Sequence, residues 1–210
     1  FSQSGGFINL GGAVAIAQTS GNLAVGPITA SGVTLSANTG NITQGGALVT
    51  TGVVTAQSQS GIALTHAGNQ FSSFIGNVTG AGHIDLANTG ALNLTQATTA
   101  NGGITVTNTG GIVTQNTVSA TGGQISITAN SPLTVGSGGV SATGNVTLVA
   151  SNVTSTGNMT LNGNVSSSGG SVSISAANDL TQNGSVSGAT GISATAGNAS
   201  ASIAFTPPAS

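Results

Sequence analysis

No lysine, arginine, cysteine, tryptophan or tyrosine occurs in these 210 residues, and Asp85 and Asp179 are the only acidic side chains. Each absence excludes something. Without Lys or Arg nothing neutralises phosphates, so no nucleic acid is expected as a partner, and anionic membrane surfaces lose their usual contacts. Without Cys there are no disulfides and no thiolate metal sites. That also suits a chain that crosses an oxidising space unfolded. No apolar run approaches the ~18 residues of a membrane helix, so no membrane insertion is expected. No basic segment followed by an apolar core opens the chain at Phe1, so no signal peptide is visible. The expectation is a mature secreted chain or a segment excised from one. Disordered chains combine high charge with low hydrophobicity, whereas here charge is nearly absent and mean hydropathy is positive.

What is present is strand-and-turn chemistry. Gly contributes 35 residues, without the three-residue period of collagen, among abundant Ser, Thr, Asn, Ala and Val. The most regular stretch is Gly103 to Val135. Ile104 and Val106 alternate with Thr105, Asn108-Thr109-Gly110 breaks the run, and Ile112 and Val118 open two further short strands. The pattern restarts at Ile125-Ser126-Ile127 and Leu133-Thr134-Val135. Strand starts at Ile84, Ile104, Ile125, Val146, Val172 and Ile192 are 20, 21, 21, 26 and 20 residues apart. No window carries apolar residues at helical spacing for more than a turn, and the frequent Gly would break a helix. A β-sandwich also has short strands, but it gives no reason for self-similar units. A fixed period does. The predicted fold is an all-β, right-handed parallel β-helix with about 20–21 residues per three-strand coil.

In this reading residues 1–31 are irregular N-terminal coils or a cap or joint. Residues 32–191 are the repeats, with an excursion at 66–76, and residues 192–210 are a partial coil with a proline-containing cap or joint. Alternating residues such as Ile104 and Val106, or Val172 and Ile174, point inward. Thr34, Asp85, Thr105, Ser126, Thr147 and Ser173 form the outward set, whose hydroxyls suit stacking, as do the amides of Asn ladders. Phe71 and Phe74 are expected in the excursion, folded back over apolar surface and available as loop contacts. Phe1, Phe7, Phe205 and Pro207 stand near the termini as caps or end-to-end contacts. The missing edge charge favours contacts, because nothing discourages stacking of the open ends.

The units in GNVTLVASNVTSTGNMTLNGNVSSSGGSVSISAANDLTQNGSVSGATG, from Gly144 to Gly191, resemble the β-helical repeat shafts of filamentous haemagglutinin-like bacterial exoproteins, of the two-partner secretion and autotransporter routes. The likeness runs from about Gly32 to Gly191. It implies an extracellular or cell-surface fibre used in adhesion, as biofilm matrix or as a stalk. The implied partners are copies of the same chain or adjacent modules, and a host or neighbouring-cell surface. The family's secretion domain carries Asn-Pro-Asn motifs. No Asn-Pro occurs here, so the chain resembles shaft.

Chemistry-bearing residues are few. His83 and Asp85 are two apart and face the same way, an arrangement able to polarise a proton or hold a metal, with His66 as a third group in the excursion. The bland reading is a solvated pair, and no catalytic, cofactor-binding or metal-binding residue is assigned. Polysaccharide-cleaving β-helices need clustered carboxylates, and Asp85 and Asp179 are 94 residues apart. Neither Asp follows the Gly-Gly-x-Gly-x run of calcium-binding repeats. Asn-x-Ser/Thr sequons recur at Asn41, Asn77, Asn93 and Asn145, as composition alone would produce. The leading functional expectation is a non-catalytic, self-associating structural module. Ranked below it are an ice-binding or other repetitive-surface-binding solenoid, for which the rank Thr105-Val106-Thr107 appears once, a carbohydrate-active enzyme, and a functional amyloid.

Overall fold

Inward Val, Ile and Leu at every second position stabilise each strand, and Gly, Asn and Ser end it after a few residues. In the computed structural model, which describes residues 2–3, 6–130, 132–153 and 157–197, the outcome is a parallel β-solenoid without helices among the described residues. Every strand pairing is parallel and joins a strand to its equivalent one coil away.

The first face is a sheet of nine strands: Leu23–Val25, Asn41–Gln44, Gly61–Leu64, Ile84–Asn88, Ile104–Asn108, Ile125–Ala129, Val146–Ala150, Ser171–Ala176 and Gly191–Ala196. Its register links Leu23, Ile42, Ile62, Ile84, Ile104, Ile125, Val146, Val172 and Ile192 in one inward column. Coil lengths are therefore 19, 20, 22, 20, 21, 21, 26 and 20 residues. Nine levels at the usual strand spacing make a rod of about 40 Å. The second and third faces belong to one 15-stranded sheet that turns a corner. In the middle coils a single strand covers both faces: Leu48–Ser58, Gln70–Ala81 and Leu92–Asn101. Farther along, pairs of short strands such as Ile112–Thr114 and Val118–Ala120 do the same.

Three expectations are corrected. No boundary falls between residues 31 and 32. Ile28–Ala30 and Gly32–Ala37 are strands on adjacent faces, and Ala13–Gln18 pairs with the latter in unbroken register. Nor is 66–76 an excursion. Only a short turn around His66–Asn69 precedes the strand Gln70–Ala81, and Phe71 and Phe74 point into the core at 2% and 0% exposure, with ring centroids 6.2 Å apart. They are not loop contacts. The alternation looked broken because this strand rounds a corner, where its register against Leu48–Ser58 shifts and the inward phase resets. The longer connection lies instead between Ala150 and Met159, where neighbouring coils need only the residues between Ala129 and Leu133. Val153, within it, is 78% exposed. Thr34 points outward as expected but does not share a row with Asp85 and Thr105. It sits on the third face, and the first-face column reads Ala24, Thr43, Ala63, Asp85, Thr105.

The core contains a short amide ladder. Asn69, Asn88 and Asn108 are buried at one corner of successive coils. Asn69 Oδ1 accepts from Leu48 N at 2.9 Å and Gln44 Nε2 at 2.8 Å, and its Nδ2 donates to Leu64 O and Ala87 O, both at 3.0 Å. Asn88 Nδ2 donates to Asn108 Oδ1 at 3.2 Å. Buried amides are stable only when so satisfied. Beyond Asn108 the same column continues as Ala129, Ala150 and Ala176, which need no partners.

Candidate functional site

Where strands begin, a repeated local motif ties one coil to the next. Asn22 Oδ1 accepts from Asn41 N at 3.0 Å, Asn145 Oδ1 from Ser171 N at 2.9 Å, Asn158 Oδ1 from Asp179 N at 3.3 Å, and Asn164 Oδ1 from Ser185 N at 3.0 Å. The corner Asn thus satisfies a backbone N–H of the following coil that no strand ladder reaches. The next residue points inward and the one after it outward. Asn145-Val146-Thr147 and Asn164-Val165-Ser166 are therefore the opening of a strand, which gives these two sequons a structural reason, whereas Asn77 and Asn93 stand within strands.

His83 occupies this capping position in its coil. Its Nδ1 accepts from Gly103 N at 2.8 Å, so the neutral ring carries its proton on Nε2. Asp85 is half-buried and outward on the strand Ile84–Asn88, and no hydrogen bond joins it to His83. His66 lies apart in an exposed turn, where its Nδ1 accepts from Gly68 N at 3.0 Å. Asp179 opens the strand Leu180–Gln182 on the second face, four coils from Asp85 and so roughly 19 Å along the axis. The two carboxylates do not meet. Among the described residues no group of three or more His, Cys, Asp or Glu is placed to hold a metal ion. Replacing His83 by Asn is expected to preserve the cap. His83→Leu strands the Gly103 N–H and should cost about 1–3 kcal/mol in chemical denaturation followed by circular dichroism.

Two clefts adjoin His83. One, about 170 Å³, is lined by Asn41, Thr43, Ser60, Gly61, His83 and Asp85 among others. The other, about 540 Å³, continues along the same corner past Thr105, Gln124, Thr143 and Asn145. A shallow groove of about 500 Å³ on the second face has Val49, Gln70 and Phe71 in its lining. Sequence reasoning missed the capping role of His83 and the first cleft. Both depend on residues about 20 apart, although contiguous Asn-Val-Thr and Asn-Val-Ser triplets signalled the cap elsewhere.

The faces differ in how their hydroxyls are used. On the second and third, Ser73 and Thr95 share a hydrogen bond of 2.8 Å, Thr98 donates to Asn77 Oδ1 at 2.9 Å, and Ser141 donates to Ser119 at 3.3 Å. On the first face, Thr105/Thr107, Ser126/Thr128, Thr147/Val149, Ser173/Ser175 and Ser193/Thr195 align in two outward ranks. Thr105-Val106-Thr107 is thus one of five stacked pairs.

Of the terminal aromatics, Phe7 is 73% exposed and Leu10, close by, 51%. Phe1, Phe205 and Pro207 lie outside the described residues. Ile8 and Ile16 are only partly buried, whereas their partners one coil in, Ile28 and Leu35, are fully enclosed.

No curated protein and no solved structure matches this chain. A family model does match residues 11–78, the coils that carry Phe71, Phe74 and the corner at Asn41. Over that third of its length the chain is similar to a family described as repeats of unknown function (DUF5649), and with nine stacked coils among its described residues it is a repeat β-solenoid protein.

Proposed function

We propose that the chain is a non-catalytic structural module of an extracellular or cell-surface fibre, of the filamentous haemagglutinin-like shaft type, that associates end to end. The N-terminal edge carries this reading. Strand Ala13–Gln18 is hydrogen-bonded on one side only among the described residues, and the core column ends there half-open at Ile8 and Ile16. Phe7 and Leu10 project beside it. Soluble sheet proteins guard such edges with Lys, Pro or bulges. This strand, Ala-Val-Ala-Ile-Ala-Gln, has none of them. An added parallel coil would extend the existing ladder and cover the exposed apolar groups, and with so little charge on the chain nothing repels it. Sedimentation velocity tests the reading. Mass should rise with protein concentration, and Phe7→Asp with Leu10→Asp should hold the chain monomeric. Equal association by the double variant, or monomers throughout, would defeat it.

A further inference from the structure

We propose that the cleft at Asn41, His83 and Asp85 binds the vicinal hydroxyls of a neutral carbohydrate. The observation that carries this is a break in the capping pattern. Asn41 holds the corner position from which Asn22 and Asn145 cap the next coil. The backbone N–H it would cap belongs to Gly61, and Ser58 Oγ takes that N–H at 3.0 Å instead. Asn41 Oδ1 is left buried without a hydrogen-bond partner. A buried acceptor in this state is costly, and Asn41, only partly buried as a residue and part of the cleft lining, has to turn its amide toward the cleft to meet a donor there.

The other groups in the cleft define that donor's chemistry. Asp85 offers a second acceptor, and among the described residues no hydrogen bond engages it. His83 offers a donor, because Nδ1 is occupied by Gly103 N–H and Nε2 carries the proton. Two acceptors beside one donor suit a group that both donates and accepts through neighbouring atoms, as a vicinal diol does. A transition metal would need the Nε2 lone pair, and freeing it moves the proton to Nδ1 and breaks the Gly103 bond. An anion would meet Asp85 in a chain without Lys or Arg. A small cation would meet one carboxylate and the Nε2–H of His83. The cleft volume of about 170 Å³ is that of a single sugar ring or less, and the adjoining groove of about 540 Å³, which shares His83, offers Gln124, Thr143 and Asn145 to further units along the axis. Among the described residues no Phe ring lines either space, so affinity rests on hydrogen bonds, on the order of 1 mM for a short oligosaccharide. This inference stands independently of end-to-end association.

The test is titration of the intact ¹⁵N-labelled chain, by two-dimensional NMR, with neutral malto-, cello-, manno- and chito-tetraose. At least one should give saturable shifts at the Gly61, Asp85 and Gly103 amides and at the His83 imidazole. Binding should weaken by about tenfold or more in Asp85→Thr, whose new side chain matches Thr43 and Thr105 in the same column, and in His83→Asn, which keeps the cap but removes the Nε2–H. Asp179→Asn should bind as the parent does. The proposal is overturned if none of the four shifts these resonances up to its solubility limit, which leaves a site filled by water only. It is overturned equally if Asp85→Thr binds unchanged, or if calcium chloride or ethylamine alone reproduces the shifts while the sugars do not.

Discussion

Gly102→Ala is expected to lower stability by ~3 kcal/mol or more, a large loss for one methyl group. A Cβ on Gly102 would fall on the carbonyl oxygen of Gly82 in the coil before it. Gly82 in turn sits against the Ser60 carbonyl, and Gly123 against the backbone of Gly102. This corner is a stack of peptide backbones in contact, and no flexible side chain is present to move aside. The added methyl must separate two coils, which breaks ladder hydrogen bonds on the flanking strands. Gly90→Ala is the control. Gly90 has φ +84° with nothing near its would-be Cβ, so alanine there carries only the strain of a left-handed backbone, about 1–2 kcal/mol. Because each coil packs only on its neighbours, the Gly102 variant should also lose amide protection around residues 82–103 before residues 165–188. With no Trp or Tyr in the chain, circular dichroism and hydrogen exchange are the readouts. Equal losses for the two variants would contradict the close-approach account.

Phe74→Ala should cost about 3–5 kcal/mol, the usual penalty for removing a fully buried aromatic ring. The ring lies at a corner, paired with Val54 in one coil and Leu94 in the next. The room it needs is made two residues on. A Cβ at Gly76 would lie 2.5 Å from Phe74 Cε1, and the residues equivalent to Gly76 in adjacent coils are Ala56 and Ala97. Phe74 and Gly76 thus form a compensating pair. Gly76→Ala alone should destabilise by crowding the ring, and in the Phe74→Ala background its penalty should disappear. A coupling of about 1 kcal/mol or more between the two changes is the expected result, and simple additivity would refute the pairing.

These two sites mark what the sequence disclosed and what it withheld. The inward column from Ile84 to Ile192 was legible because it alternates within each strand and repeats at nearly constant spacing. The 66–76 segment was not, because Phe71 and Phe74 are three apart rather than two. On a continuous strand that spacing reads as disorder in the pattern, yet at a solenoid corner it is how the inward side is kept. The first coils escaped for a related reason: Val33 and Leu35 alternate convincingly but belong to the third face, so counting from them shifts the frame. The corner caps were hidden because Asn145 and Ser171, or His83 and Gly103, meet only when the coils stack. Asp85 and His83 were visible as a pair by their spacing, but the orphaned Asn41 Oδ1 that completes the cleft depends on Ser58, which alternation alone marks only as one more small polar residue.

The claim that the molecule is a stackable structural rod is tested most directly by electron microscopy of the purified chain over a rising concentration series. The account predicts unbranched filaments one solenoid wide, in which the ~4.8 Å strand repeat along the axis runs without interruption through the junctions. Dispersed rods of about 40 Å at every concentration, or fibrils whose repeat arises from identical segments stacked between unfolded chains, would contradict it.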